Sequence, residues 1–229
     1  MDAIVLAGGF GTRLRSVVSG PKAMAPVDGR PFLSYIFEYL SRWNISQVIL
    51  SLGYLSETII KWVNAQNLPF SVVFSVESVP LGTGGGVKRA ISFAKSDNVL
   101  VLNGDTFFDV NIRDFELFHE KLALPISVAL KPMEKFNRYG SVKIEGERIV
   151  KFEEKKFCEE GYINGGVYLL RRENLFNGMP DCFSMESDFL AYRAVSKQIG
   201  AYVCGNYFID IGIPSDYQTA QTDFIRLFK

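Results

Sequence analysis

The chain has 229 residues, 48% of them hydrophobic, which is enough to bury a substantial core, and one large α/β domain is the simplest expectation. Its 25 basic and 25 acidic side chains cancel, so it lacks the electrostatic footprint of a protein that binds nucleic acid or an anionic membrane. Cys158, Cys182 and Cys204 form no C-x-x-C pair; neither a disulfide framework nor a zinc site is indicated, and a reducing cytoplasm fits best.

In chain order, "AIVLA" (3–7) is a short apolar run of the kind expected for a parallel strand buried on both faces. "PFLSYIFEYLSRW" places Phe32, Leu33, Ile36, Phe37, Leu40 and Trp43 on one helical stripe. "QVILSL" (47–52) predicts a strand, "SETIIKWVNAQ" (56–66) a helix capped by Ser56, "FSVVFSV" (70–76) a strand, "GGVKRAISFAK" (85–95) a helix and "NVLVLNGD" (98–105) a strand. This alternation predicts a parallel sheet with helices on both faces, whose ligands lie beyond the carboxyl ends of the strands. "FELFHEKL" reads as an amphipathic helix, and its His119, the one histidine of the chain, as structural. "ISVALK" (126–131), "GSVKIEGERIVKFEEK" (140–155, turning at Gly146) and "YINGGVYLL" (162–170) are strand-rich; a strand in "NYFIDIG" and a last helix at 214–228 follow. The expected organisation is one domain over 1–229, with a nucleotide-type half to about 110 and a β-richer half from about 111. No run approaches the ~18 apolar residues of a membrane span, and the N-terminus lacks the basic start of a signal peptide.

Two glycine-rich stretches ask for a ligand. In "LAGGFGTRL", Gly9 and Gly11 begin a G-x-G-x-x-G pattern that meets Leu14 where its third glycine belongs. In "GTGGGVKRA", Val87 and Arg89 break the P-loop pattern. Dehydrogenases and P-loop NTPases are thereby disfavoured. What remains is a turn after the first strand in which Gly8 to Gly11 can bring backbone N–H groups to a triphosphate. Arg13 would hold phosphate oxygens as a fork, and Lys22, placed by Pro21, would add a point charge.

"GGFGTRL", "PKAMAPV", "PLGTGGGVKRA", "NGDTFFD", "YGSVKI", "FEEK", "INGGVYLL" and "FIDIGIPSDY" follow one another along nearly the whole chain. This ordered set resembles the signature of the sugar-1-phosphate nucleotidyltransferases, which make NDP-sugars from an NTP and a sugar 1-phosphate. The resemblance implies an α/β, Rossmann-like fold of the nucleotide-diphospho-sugar transferase type: a mixed, mostly parallel sheet flanked by helices, with a β-rich sugar-binding lobe. It also implies attack of the sugar-phosphate oxygen on the α-phosphorus, with pyrophosphate leaving. A phosphate monoester has its second pKa near ~6 and is already an anionic nucleophile at neutral pH, so no general base is needed. Catalysis then reduces to alignment and charge neutralisation, with Arg13, Lys22 and Asp105 as the catalytic set. Asp105 and Asp210 match the family's two metal-binding aspartates, and Mg²⁺ is the implied cofactor. The implied nucleotide side comprises Leu6, Ala7, Gly8, Gly9, Gly11, Thr12, Arg13, Lys22, Glu77, Gly82, Thr83 and Gly104. Gly140, Glu154, Lys155, Asn164 and Gly165 match positions around the sugar phosphate, and Asp188 is a further candidate for the sugar pocket.

Leu6 to Gly8 and the "PLGTGGG" loop are expected to clasp the base. Glu77 stands where thymidylyl- and many uridylyltransferases of the family have Gln. A carboxylate only accepts, and guanine presents two adjacent donors, which favours GTP. Within the family the chain most resembles the guanylyltransferases acting on D-glycero-α-D-manno-heptose 1-phosphate. Mannose 1-phosphate with GTP, a hexose 1-phosphate with UTP or dTTP, and an inactive sugar-nucleotide-binding regulator are the alternatives. The expected partners are small molecules, with neither nucleic acid nor membrane, and the sequence leaves room for a homo-oligomer. The last predicted helix closely follows Asp210, and no appended second activity is expected.

Overall fold

The apolar opening run forms β1 (Asp2–Leu6), whose Ala3, Ile4 and Val5 are all fully buried. This computed structural model describes residues 1–9, 18 and 20–228. A short 3₁₀ turn at Lys22–Met24 leads into a hairpin of β2 (Pro26–Val27) and β3 (Arg30–Pro31), closed by Asp28 and Gly29 with φ of 45° and 74°. Positive φ at both central residues is the tight hairpin geometry that Asp-Gly favours.

Next come α1 (Phe32–Ser41), β4 (Gln47–Leu52), α2 (Ser56–Asn64), β5 (Ser71–Val76), α3 (Gly82–Ile91) and β6 (Asn98–Asn103). The predicted helix at 85–95 therefore begins three residues earlier. Ser56 is not the cap of α2; that position belongs to Leu55, at φ 53°. The second half supplies β7 (Thr106–Phe108), α4 (Ile112–Leu122), β8 (Ile126–Phe136), β9 (Gly140–Glu145), β10 (Arg148–Lys155) and β11 (Cys158–Arg171). A π-helical turn at Met185–Leu190, α5 (Ala191–Val195), β12 (Ile199–Val203), β13 (Phe208–Asp210) and α6 (Pro214–Leu227) complete it.

Nine strands make one sheet in the order β5-β4-β1-β6-β11-β8-β12-β10-β9, with β9 also pairing β11. The strands from β5 to β6 run parallel, while β11 is antiparallel to both β6 and β8. The sheet is mixed, as expected. Alternation along β1 divides the core: Ala3 and Val5 join the apolar cluster with α1, α2, α4 and α6, and Ile4 joins the cluster with α3 and α5. A separate two-stranded ribbon, β7 with β13, lies across the carboxyl end of the sheet and pairs Thr106 with Asp210.

The aromatic rings of Phe32, Tyr35, Phe107, Phe224 and Phe228 lock α1, α6 and this ribbon together, with centroids 4.7 to 5.7 Å apart. Tyr217 and Gln221 of α6 both donate to the Pro26 carbonyl. The last helix thus holds the hairpin that follows the Lys22–Met24 turn. Among the described residues no helix is long and apolar enough to cross a membrane.

Candidate active site

At the carboxyl ends of β1, β4 and β6 lies a cavity of about 520 Å³. The turn after β6 is forced by contact: Gly104 N–H donates to the Leu6 carbonyl at 2.9 Å, and a Cβ on Gly104 would stand 2.5 Å from that oxygen. Only glycine lets the chain cross so close to β1, and the crossing delivers Asp105 to the cavity wall.

Lys22 Nζ donates to Asp105 Oδ2 at 2.8 Å, with both side chains half-buried. Asp105 and Asp210 are then brought together by the ribbon, where Ile211 N–H donates to the Asp105 carbonyl at 3.0 Å. Asp210 Oδ1 accepts from Gly212 N–H at 2.7 Å, and a Cβ placed on Gly212 would be 2.7 Å from that oxygen and 3.4 Å from Lys22 Nζ. Burial, and next the Asp105 charge, push the Asp210 carboxyl above its ordinary range, opposed by the Gly212 hydrogen bond and by Lys22 and Arg138. A carboxylate whose charge is disfavoured by a neighbouring carboxylate suits a hard divalent cation. Among the described residues no third acid, His or Cys completes a metal group, so substrate oxygens would have to supply further ligands.

Beside Asp210, Arg138 Nη2 donates to Asp216 Oδ2 at 2.7 Å and to the Tyr139 hydroxyl at 2.6 Å. Burial, together with the Asp210 charge, pushes the Tyr139 phenol up to about 12. Neither Arg138 nor Tyr139 was singled out by the sequence, although Tyr139 opens the quoted "YGSVKI" and Arg138 precedes it.

Of the expected nucleotide-side residues, Leu6, Ala7, Gly8, Gly9, Lys22, Glu77, Gly82, Thr83 and Gly104 line the cavity, as does Asp105. Gly11, Thr12 and Arg13 lie outside the described residues. Glu77 Oε2 accepts from Leu81 N–H at 3.0 Å. The expected clasping of the base by the "PLGTGGG" loop needs correction at two positions, Gly84 and Gly85. Gly84 and Gly85 N–H both donate to the Phe183 carbonyl, at 3.0 and 3.3 Å. A Cβ on Gly84 would strike the Phe183 ring at 2.2 Å, and one on Gly85 the Asp181 carbonyl at 2.1 Å. These glycines admit the 181–185 segment, whose Phe183 carbonyl takes up two of the free amides of α3; Gly86 alone of the three lines the cavity.

That segment brings in Ser184, Met185 and Glu186 as further lining residues. Asp188 caps the π-helical turn instead, its Oδ2 accepting from Ser184 N–H at 2.7 Å, and the cavity-lining acid is Glu186, two residues earlier. Ser51, Asn103 and Tyr168 also line the cavity; Ser51 lies in no quoted motif, while Asn103 opens "NGDTFFD" and Tyr168 lies in "INGGVYLL" without having been singled out.

The residues expected around the sugar phosphate occupy neighbouring strands outside that lining. Gly140 on β9 pairs with Lys155 on β10, and a Cβ on Gly140 would meet the Glu153 carbonyl at 2.4 Å. Glu154 and Lys155 are exposed. Ile163 pairs with Ser141, so Asn164 and Gly140 follow next at the same end of β11 and β9. Asn164 Nδ2 donates to the Tyr168 hydroxyl at 2.9 Å and to Glu186 Oε1 at 2.8 Å, which ties it to the cavity wall. Gly165 packs tightly against Phe108.

The carboxyl edge of this mixed sheet thus gathers Gly8, Gly9, Lys22 and Asp105 around one cavity, with the Asp210 carboxyl near enough to feel the Asp105 charge. The chain matches the nucleotidyl transferase family over residues 2–226, and it belongs to that family. The family read from the ordered motifs is the one found. The chain is 45% identical over 226 residues to the D-glycero-alpha-D-manno-heptose 1-phosphate guanylyltransferase of Aneurinibacillus thermoaerophilus, covering 97% of this chain and 98% of that protein. It is 43% identical over 221 residues to the enzyme of the same name from Campylobacter jejuni, covering 95% and 97%. The crystal structure of HddC from Yersinia pseudotuberculosis superposes with a TM-score of 0.88 at 36% identity, over 97% of this chain and 99% of that one. The same protein complexed with GMP-PN gives 0.87 at the same identity and coverage.

Proposed function

We propose that this chain joins GTP to D-glycero-α-D-manno-heptose 1-phosphate, releasing pyrophosphate and forming a GDP-heptose for bacterial surface polysaccharide. The single observation that carries the guanine reading is Glu77. Its carboxylate lines the cavity, with one oxygen held by Leu81 N–H and the other within 2.9 Å of where a Cβ on Gly86 would stand. A fixed acceptor answers the N1–H and N2–H₂ donors of guanine and repels the carbonyl edge of uracil or thymine. The names of the relatives and the GMP-PN complex of HddC point the same way.

In the reaction an oxygen of the sugar phosphate forms a bond to the α-phosphorus as the bond from that phosphorus to the bridging oxygen breaks. Pyrophosphate departs with the electron pair. Lys22 stabilises the growing negative charge, and Arg13 shares that role on the triphosphate. Asp105 orients Lys22 through their ion pair. Asp105 and Asp210 would hold Mg²⁺, which when bound supplies neutralisation of the two anionic substrates. Lys155 binds the acceptor phosphate and Glu154 accepts from sugar hydroxyls, with Asn164, Gly140 and Gly165 shaping the backbone around them. GTP as donor places the work in the cytoplasm.

The test is pyrophosphate release across a panel of GTP, ATP, UTP, CTP and dTTP against heptose, mannose and glucose 1-phosphates. GTP with the heptose phosphate should give the highest kcat/KM. A best pair containing mannose 1-phosphate corrects the sugar, and one containing UTP or dTTP refutes the guanine assignment.

A further inference from the structure

The polar residues at the base end of the cavity are not all used by Glu77. β4 reads Gln47-Val-Ile-Leu-Ser51-Leu52, and every residue of it is buried. Ser51 is 3% exposed and lines the cavity, and its hydroxyl takes no hydrogen-bond partner among the described residues; the hydroxyl of this face that is itself buried without a partner is that of Ser75. A cavity-lining hydroxyl that no protein group engages can donate to a ligand.

The register puts Ser51 opposite Ser75, two residues before Glu77 on β5. Neighbours in register on parallel strands share a face, as do residues two apart, so Ser51, Ser75 and Glu77 all point towards α3. Over them lies Gly86. A Cβ there would be 2.9 Å from Glu77 Oε1 and 3.0 Å from Ser51 Oγ. The two oxygens thus flank one point on the cavity floor, and glycine keeps that point open.

Resting on the guanine reading above, we propose that Ser51 is a second base-selecting residue, its hydroxyl donating to guanine O6 while Glu77 accepts from N1–H and N2–H₂. A hydroxyl can donate and a carboxylate cannot, so the pair presents donor and acceptor in the order that the guanine edge requires. Adenine reverses that order, with N6–H₂ where Ser51 offers its donor and a bare N1 against Glu77.

The experiment compares GTP with 6-thio-GTP, whose sulfur is a poor acceptor at the O6 position, in the wild type and in Ser51→Ala. The wild type should favour GTP by about 10-fold in kcat/KM, as expected when a site built to bond an atom meets an analogue lacking that bond. In Ser51→Ala, KM for GTP should rise by a similar factor, and the preference for GTP over 6-thio-GTP should fall towards one. A merely structural role would weaken both nucleotides and leave their ratio intact; an intact ratio, or an unaltered KM for GTP, overturns the assignment. Failure of the guanine reading is separately visible, as a wild type that prefers UTP or dTTP before any variant is made, and it would overturn this assignment too.

Discussion

Lys22 and Asp105, 83 residues apart in the chain, are joined by a 2.8 Å hydrogen-bonded ion pair at the mouth of the cavity. Such a partly exposed pair contributes less than about 1 kcal/mol to stability, so its value to the protein has to be sought elsewhere. On the proposed mechanism, replacing Lys22 by Ala removes the positive charge that stabilises the reacting phosphates. Turnover of Lys22→Ala, and of Asp105→Asn, should fall on the order of 10²-fold or more, with thermal unfolding little changed. Steady-state pyrophosphate release beside a melting curve checks both; near-normal turnover in either variant removes that residue from the chemistry.

Asp210 is held by Gly212 N–H, pairs with Thr106 across the β7–β13 ribbon, and lies close enough to the neighbouring Asp105 to feel its charge. If these two carboxylates form the cation site, then Asp210→Asn should weaken binding of Mn²⁺, a paramagnetic stand-in, by about 10-fold or more, since even partners outside the first coordination shell cost that much. Electron paramagnetic resonance titration in the presence of GTP reads this without turnover. Equal Mn²⁺ affinity in wild type and variant would exclude Asp210 as a ligand.

Glu77→Gln is the reciprocal test of base choice. The amide oxygen can still accept from Leu81 N–H, which then turns the amide NH₂ towards the cavity. There it opposes guanine N1–H and welcomes a pyrimidine carbonyl. The ratio of kcat/KM for GTP over UTP should fall by about 10-fold or more. An unaltered nucleotide profile takes Glu77 out of base reading.

Much of the fold was legible because its signals are local. The apolar runs of β1, β4 and β6 and the striped helices α1 and α2 lie within a few residues of their expected bounds. β12 escaped notice although "IGAYV" is apolar, because no turn signal or alternating partner framed it; it becomes a strand by pairing with β8, from Ile199 opposite Ile126 to Val203 opposite Leu130. The site divides in the same way. Lys22, Glu77 and Asp105 sit in recognisable motifs, and the cavity collects all three. Ser51 and Glu186 reach it only through tertiary packing, and one-dimensional spacing carries no trace of that. The glycines of α3 were visible but their purpose was not. A glycine that admits a base and a glycine that admits Phe183 look alike in a sequence.

Gly85 separates those two purposes. A methyl group there would lie 2.1 Å from the Asp181 carbonyl, a backbone atom that cannot swing aside, and 2.9 Å from Leu81 Cβ. Gly85→Ala should therefore cost about 1 to 3 kcal/mol, as overpacking does, and undock the segment that carries Glu186 to the cavity. Chemical denaturation should show the loss without any nucleotide present. A variant as stable as the wild type but defective in GTP binding would instead return Gly85 to the base site.

His119 predicts how the fold answers acid. It is fully buried on α4, with Nδ1 at 2.8 Å from Ser127 Oγ and Nε2 without a hydrogen-bond partner among the described residues. Burial, and then the charge of Arg171, lower its pKa from 6.5 to about 4. The neutral ring is thus the native form. As pH falls below 6.5, the unfolded chain takes up a proton that the folded chain refuses, so stability declines until the native ring also protonates near pH 4. This one group should remove about 2 kcal/mol by pH 5 and about 3 kcal/mol by pH 4, relative to neutral pH. His119→Gln, which keeps a polar contact for Ser127 but does not titrate, should flatten that part of the profile. Urea unfolding of both proteins at pH 7, 6 and 5 isolates the difference from all other titrating groups. Parallel profiles would mean that the buried ring gains a proton without unfolding.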